Sequence, residues 1–256
     1  MGGNGKRRGQ VVLITGVSSG FGRSIALELA GAGHRVYGIS RRQLADPPLE
    51  AALAGYLPGD LCLRETAERA VDQVLQREGR LDVLINDAGM GIGGALEDTD
   101  DEALHHLMEL NFFAMARMCR AALPAMRRQG AGTILNISSL GGLVGLPFQG
   151  AYSASKYAVE GYSEALRSEV QPFGVRVLLV EPGDFRTKFT ASRRLVGDES
   201  DYRPFRDRAV ARIEKDELGG CPPAQLAVLL RRLVESSSRR PPRKASDGIF
   251  AGGMGV

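Results

Sequence analysis

The chain alternates short apolar runs with longer stretches whose apolar residues recur at helical spacing. Residues 10–15 (QVVLIT) are too few for a helix and end at a glycine, so they read as a buried parallel strand. Residues 24–32 place Ile25, Leu29 and Ala32 at helical spacing. Residues 34–40 (HRVYGIS) read as strand. Residues 64–78 read as a helix with Ala67, Val71, Val74 and Leu75 on one face. Residues 81–86 (LDVLIN) form the next strand. Thr99-Asp100-Asp101-Glu102 is an acidic, capped start for a helix that runs to about Arg128. The pattern continues with a strand at 133–137, a helix at 151–170, a strand at 175–180 and a helix at 225–234. A short last strand is expected at 248–251.

Strand and helix repeated in this order imply a parallel sheet covered on both faces, because the crossovers must be right-handed. The expected fold is a single-domain, doubly wound α/β sheet of the Rossmann type over residues 1–256, a length that buries one substantial core. Ligands of such sheets bind at the carboxyl ends of the strands. The breaks at 16–22, 87–94, 138–145 and Pro182-Gly183 all follow strands, which puts them on that edge together.

Composition narrows the classes. With 43% apolar and 25% charged residues the chain is of the globular kind, not the disordered one. Its apolar runs are too short to span a bilayer, and its basic, glycine-rich start is not a secretory signal. Cys62, Cys119 and Cys221 are scattered, without a CxxC, and argue for a reducing cytoplasm over disulfides or zinc. His34, His105 and His106 make no metal spacing, so no metal is expected. Net charge is +3, with basic clusters at Lys6-Arg7-Arg8 and at Arg239-Arg240 and Arg243-Lys244. No nucleic-acid-binding pattern accompanies them, and they read as a solvated tail and loop.

The candidate chemistry begins at Tyr152 and Lys156, four residues apart and so one turn apart on one helix face. A tyrosine with an ordinary pKa of about 10 is a poor acid-base group at neutral pH. A nearby ammonium stabilises the phenolate and is expected to lower that value. The pair suits proton exchange with an alcohol or ketone oxygen. Thr15-Gly16-Val17-Ser18-Ser19-Gly20-Phe21-Gly22 lies between a strand and a helix. Its glycines allow a tight turn in which backbone N–H groups and a helix N-terminus meet a pyrophosphate. The spacing is G-x-x-x-G-x-G, not G-x-G-x-x-G.

With Tyr152 and Lys156, that spacing resembles the classical short-chain dehydrogenase/reductase family over about residues 10–190. Further motifs fall in family order. Asp60 is similar to the acidic residue that contacts adenine. Asn86-Asp87-Ala88-Gly89 resembles Asn-Asn-Ala-Gly, with Asp in place of the second Asn. Asn111 falls where the family has its helix asparagine. Ser139, thirteen residues before Tyr152, is similar to the catalytic serine, with Ser138 as its rival. Pro182-Gly183 with Thr187 resembles the PGxxxT segment that closes over the nicotinamide. The resemblance implies that Tyr152 donates a proton to the substrate oxygen, Ser139 hydrogen-bonds that oxygen, and Lys156 lowers the Tyr152 pKa and holds the nicotinamide ribose. It implies that Asn111 holds a water joining Lys156 to solvent, and that the protein is a homodimer or homotetramer. Gly16, Ser18, Ser19, Gly20, Phe21, Gly22, Asn86, Ala88 and Gly89 complete the expected cofactor contacts.

The second strand ends Ile39-Ser40-Arg41-Arg42, with no carboxylate until Asp46. An NAD site places an acid there, on the ribose 2′-hydroxyl. Ser40, Arg41 and Arg42 suit a 2′-phosphate instead, so the expected cofactor is NADP(H). The loop residues Met90, Ile92, Leu143, Val144, Leu146, Phe148, Phe185 and Phe189 suit an apolar ketone or secondary alcohol. The LVGLPF stretch looks like family members acting on steroids, retinoids or similar lipids. Residues 184–217 are highly charged and read as an irregular lid. Reduction of a 3-oxoacyl thioester, and a non-catalytic dinucleotide-binding regulator, are the alternatives.

Overall fold

The computed structural model describes residues 9–187, 189–236 and 249–251. The basic clusters at 6–8 and 239–244, and Gly248, lie outside them.

Seven parallel strands make the central sheet: β1 (Val11–Thr15), β2 (Arg35–Ser40), β3 (Gly55–Pro58), β4 (Val83–Asn86), β6 (Gly132–Ile137), β7 (Val175–Pro182) and β9 (Ile249–Ala251). Their spatial order is β3-β2-β1-β4-β6-β7-β9. Every pair is parallel, from Val11 beside Arg35 to Pro182 beside Ala251. The order reverses at β1, next to β4, and that switch is where doubly wound sheets open a crevice. The four strands Val11–Thr15, Arg35–Ser40, Val83–Asn86 and Gly132–Ile137 are buried almost throughout, as strands covered on both faces must be.

Helices α1 (Gly20–Gly31) and α9 (Pro223–Glu235), with the short α2 (Pro47–Ala52), cover one face. Ile25, Leu29, Leu226 and Leu230 pack there on Val12, Ile14 and Val180. On the other face lie α3 (Arg64–Glu78), α5 (Ala114–Gln129) and α6 (Gly150–Val170), whose Val71, Met118, Val159 and Leu166 share a core with Leu13, Leu84 and Ile134. The helix expected from Asp101 to about Arg128 is broken. It comprises α4 (Asp101–Met108), a π-helical turn at Glu109–Phe113, and α5. Asp100 caps its start by accepting the Ala103 N–H at 2.6 Å.

The charged segment after β7 is not irregular. It folds into α7 (Phe189–Ser192), β8 (Arg194–Leu195) and the long α8 (Arg203–Gly219). β8 pairs in parallel with β5 (Ile92–Gly93), which fastens the segment to the loop after β4. The apolar periodicity of α8 is weak, and its anchor is polar. Arg206 is buried and donates to the Val196 carbonyl at 2.6 Å and to the Asp198 carboxylate at 2.7 Å. A stripe of apolar residues is the signal that pattern reading uses, and this helix has almost none.

Candidate active site

The carboxyl ends of β1, β2, β4, β6 and β7 border a cleft of about 830 Å³. At one end stands the turn between β1 and α1. Gly16 and Gly20 have φ of +79° and +58°, conformations that L side chains rarely adopt. Helix α1 begins at Gly20, and its N-cap Ser19 makes no side-chain capping bond. First-turn N–H groups therefore face a cleft lined by Gly16, Ser18, Ser19, Gly20 and Phe21. An anion fits there, so the turn suits the pyrophosphate of a dinucleotide.

Gly22 lies behind the lining. A Cβ on it would stand 2.6 Å from the Gly16 carbonyl oxygen and 2.8 Å from Asp87 Oδ2, so a side chain is excluded. Ala88, Gly89, Asp60, Pro182, Gly183 and Thr187 all line the cleft. Asp60 Oδ1 also accepts the Cys62 N–H at 2.9 Å. Asn86 is not among the residues that line the cleft. Its amide donates to Asn136 Oδ1 at 2.8 Å and to Cys119 Sγ at 3.4 Å, tying β4 to β6 inside the sheet.

At the end of β2, Arg41 and Arg42 are exposed and line the cleft beside Ser40. The Ser40 hydroxyl donates to the Arg42 carbonyl at 3.0 Å. Tyr56, which pattern reading did not single out, donates to that same carbonyl at 2.5 Å and so clamps the turn. The next carboxylate along the chain, Asp46, is bound by the Arg23 guanidinium.

The middle of the cleft holds Ser138, Ser139, Tyr152 and Lys156. Tyr152 and Lys156 lie in the first two turns of α6 and are both buried. The Ser139 hydroxyl lies close enough to the Tyr152 phenol to lower its pKa. Ser139 Oγ also accepts the Gly141 N–H at 3.1 Å, which fixes its rotamer. Ser138 instead faces Glu160. The geometry therefore favours Ser139 over its neighbour.

The Tyr152 phenol is shifted upward, not in the downward direction expected from Lys156. Burial pushes it up to about 12, against the Ser139 hydroxyl, which lowers it. Burial pulls the Lys156 ammonium down to about 8, against the Asp87 and Glu160 carboxylates. Lys156 Nζ donates to the Ile137 carbonyl at 2.9 Å and stands 5.8 Å from the Tyr152 ring centroid. Loss of solvent outweighs a lone charge at that range.

Asn111 sits in the π-helical turn and is buried. Its Oδ1 accepts the Met90 N–H at 2.8 Å, and its Nδ2 donates to the Met90 carbonyl at 3.0 Å and to Ser155 Oγ at 2.9 Å. These bonds hold the loop after β4 against α6, and the π-turn is what turns the amide inward.

Of the apolar loop residues, Met90, Leu146, Phe185 and Phe189 line the cleft. Ile92 is buried in a satellite core with Leu107, and Leu143 and Val144 are exposed. Phe148 is not among the lining residues. Residues from α8 line it too: Ile213, Arg212, Asp216 and Glu217. These four lie in the charged segment expected as an irregular lid, where no periodic pattern marks them. Among the described residues, no group of His, Cys, Asp and Glu could hold a metal, and no helix is long and apolar enough to cross a membrane.

A parallel sheet with this switch point, this glycine turn and this serine-tyrosine-lysine set defines a nucleotide-dependent oxidoreductase of the doubly wound class. The family profile described as short chain dehydrogenase matches residues 10–196, and the chain belongs to that family. It is 46% identical over 242 residues to a 3-ketodihydrosphingosine reductase of Bacteroides thetaiotaomicron, covering 93% of this chain and 88% of that protein. A solved short-chain dehydrogenase from Streptomyces avermitilis superimposes with a TM-score of 0.83 at 36% identity, over 97% of this chain and 89% of that one. Two others are complexes. An alcohol dehydrogenase from Thermococcus sibiricus with 5-hydroxy-NADP has TM-score 0.75 at 25% identity, over 95% of this chain and 96% of that one. A short-chain dehydrogenase/reductase from Burkholderia phymatum with NAD has TM-score 0.79 at 25% identity, over 90% and 86%.

Proposed function

We propose that the protein is an NADP(H)-dependent reductase that converts a long-chain apolar ketone to its secondary alcohol, with Tyr152 as the acid. The observation that carries this reading is the convergence of Ser139, Tyr152 and Lys156 in one cleft with the glycine turn. A dinucleotide held by the glycine turn and Lys156 would supply the hydride for the carbonyl carbon. Tyr152, a phenol that is protonated at neutral pH even at its ordinary pKa, donates its proton to the carbonyl oxygen. Ser139 holds the phenol hydroxyl and hydrogen-bonds the oxygen as it gains charge. Lys156 binds the ribose hydroxyls and, while protonated, stabilises the phenolate left behind. Asn111 positions the Met90 loop and α6, and thereby the two groups α6 carries.

Arg41, Arg42 and Ser40 support NADP(H) over NAD(H), as does the engagement of Asp46 by Arg23. The apolar walls formed by Met90, Leu110, Leu146, Phe185, Phe189 and Ile213 support a lipid-like substrate. The 46% identical relative reduces a 3-keto long-chain base by its name, and that compound is the first to test. The segment 184–217 serves as the lid, with Thr187 toward the carboxamide. A cytoplasmic homodimer or homotetramer completes the reading, and sedimentation of the purified protein tests the assembly.

NADPH consumption should be followed with 3-ketodihydrosphingosine, an acetoacetyl thioester and a steroid ketone in parallel. Turnover of the long-chain ketone above the others is the expected result. Preference for the thioester would replace the substrate class, and NADPH binding without turnover of any ketone would favour the non-catalytic regulator.

A further inference from the structure

Asp87 stands where the family pattern has an uncharged asparagine, at the end of β4 and in the lining of the cleft. Its placement is tightly determined. The main-chain N–H groups of Asp87 and Ala88 both donate to Thr15 Oγ1 at 3.0 Å. Its Oδ2 accepts the N–H of Gly22, in the first turn of α1, at 2.7 Å. Only a glycine at position 22 allows that approach. A carboxyl side chain thus occupies the helix end whose residues Gly20 and Phe21 line the cleft.

Two anions at one helix N-terminus compete for one partial positive charge. The pyrophosphate of a dinucleotide in the cradle of Gly16, Ser18, Ser19 and Gly20 would bring such a charge beside the carboxylate. We propose that Asp87 takes up a proton from solvent when the dinucleotide binds, so that cofactor binding is proton-linked through a residue that departs from the family's Asn-Asn-Ala-Gly pattern. The inference rests on the reading that the cleft takes a nicotinamide dinucleotide. It does not depend on whether the cofactor is NADPH or NADH, since both carry the pyrophosphate.

The charged and titratable groups facing the carboxyl, among the described residues, come from α6. Lys156 favours the ionised form, and the neutral Tyr152 phenol lies in the same electrostatic neighbourhood. From α1 comes the Gly22 N–H and from β1 the Thr15 hydroxyl, neither of which titrates. Burial outweighs the Gly22 N–H and Lys156 and pushes the carboxyl up to about 7, so a modest further push decides its state near neutral pH. An amide oxygen could accept the same Gly22 bond without any charge, which is why Asp87→Asn separates the charge from the structural role.

The test is calorimetry of NADPH binding in buffers of differing ionisation enthalpy, together with the dissociation constant as a function of pH. In the wild type, binding should take up a proton, and affinity should fall by up to about tenfold per pH unit above the carboxyl's value of about 7. Lys156, with its value of about 8, could also bind a proton when an anion arrives, so two variants are needed. Asp87→Asn should lose the Asp87 proton and bind NADPH more tightly than the wild type at high pH. Lys156→Met should keep the uptake, shifted to higher pH because the carboxyl has lost its cation. Binding without proton uptake in the wild type would overturn the inference and leave the dinucleotide reading intact. Uptake that survives Asp87→Asn and vanishes in Lys156→Met would assign the proton to the lysine and overturn it equally. No binding of NADPH or NADH to the wild type would instead sink the dinucleotide reading.

Discussion

The ring of Phe189 packs 5.7 Å from the ring of Tyr152, tilted by 55°, so the segment after β7 touches the candidate proton donor itself. Arg193 lies over the Phe189 ring, with its guanidinium carbon 6.0 Å from the ring centroid, and bonds Glu217 at 2.7 Å. Closing order in this segment is therefore coupled to the surroundings of Tyr152. The segment is held by the two-residue pairing of β5 with β8, by the polar hub at Arg206 and by Arg193 on Glu217, with Phe185 and Val210 as its buried apolar side chains among the described residues. Such segments open at low free-energy cost. Hydrogen exchange should show residues 184–217 as the least protected internal part without ligand, and more protected with NADPH and a ketone. Equal protection in both states would make the segment a fixed wall. Arg206→Met should speed exchange over α8 and raise KM for the ketone, because the Val196 carbonyl and Asp198 lose their donor.

The two neighbouring serines make a second, sharp comparison. Ser139→Ala removes the donor to the developing oxyanion and should lower kcat by ~10²-fold or more. Ser138→Ala should cost much less, because that hydroxyl faces Glu160. A larger loss from Ser138→Ala would reverse the assignment.

Cofactor choice turns on the end of β2. Arg41→Ala should weaken NADPH binding by roughly ten- to a hundredfold, the equivalent of ~1.5–3 kcal/mol for a charge-assisted hydrogen bond, and leave NADH nearly unchanged. Equal losses for both cofactors would point to Arg42 or Ser40 as the reader.

Lys156 supplies a pH dependence whose sign can be stated. Its pKa is lowered to about 8, so the ammonium is present below that pH and lost as pH rises through it. Ketone reduction should fall along that limb. Lys156→Arg keeps a cation at all working pH values, so the limb should move to higher pH even if the rate is lower. An unmoved limb would assign it to another group.

The parallel sheet was legible because its strands are apolar throughout, and residues 64–78 were legible because a helical stripe runs along them. The glycine turn and the Tyr152-Lys156 spacing marked the cleft for similar reasons, as each is a local pattern. What escaped reading depended on contacts far apart in the chain. The π-turn that turns Asn111 inward leaves no mark in spacing. β3 and its Tyr56 clamp lie in a short stretch with no strong alternation. Helix α8 is anchored by one buried arginine, which a periodicity argument takes for a solvated charge. The raised pKa of Tyr152 depends on burial, and burial is a property of the assembled fold.

The central claim is that Tyr152 gives its proton to the substrate oxygen. The most direct measurement is single-turnover oxidation of NADPH by the long-chain ketone in Tyr152→Phe, beside NADPH affinity by titration. The account predicts a rate lowered by at least ~10²–10⁴-fold, with NADPH affinity nearly that of the wild type, because the substitution removes one hydroxyl and little else. A rate within about tenfold of wild type would contradict it, since general acid catalysis is worth more than that.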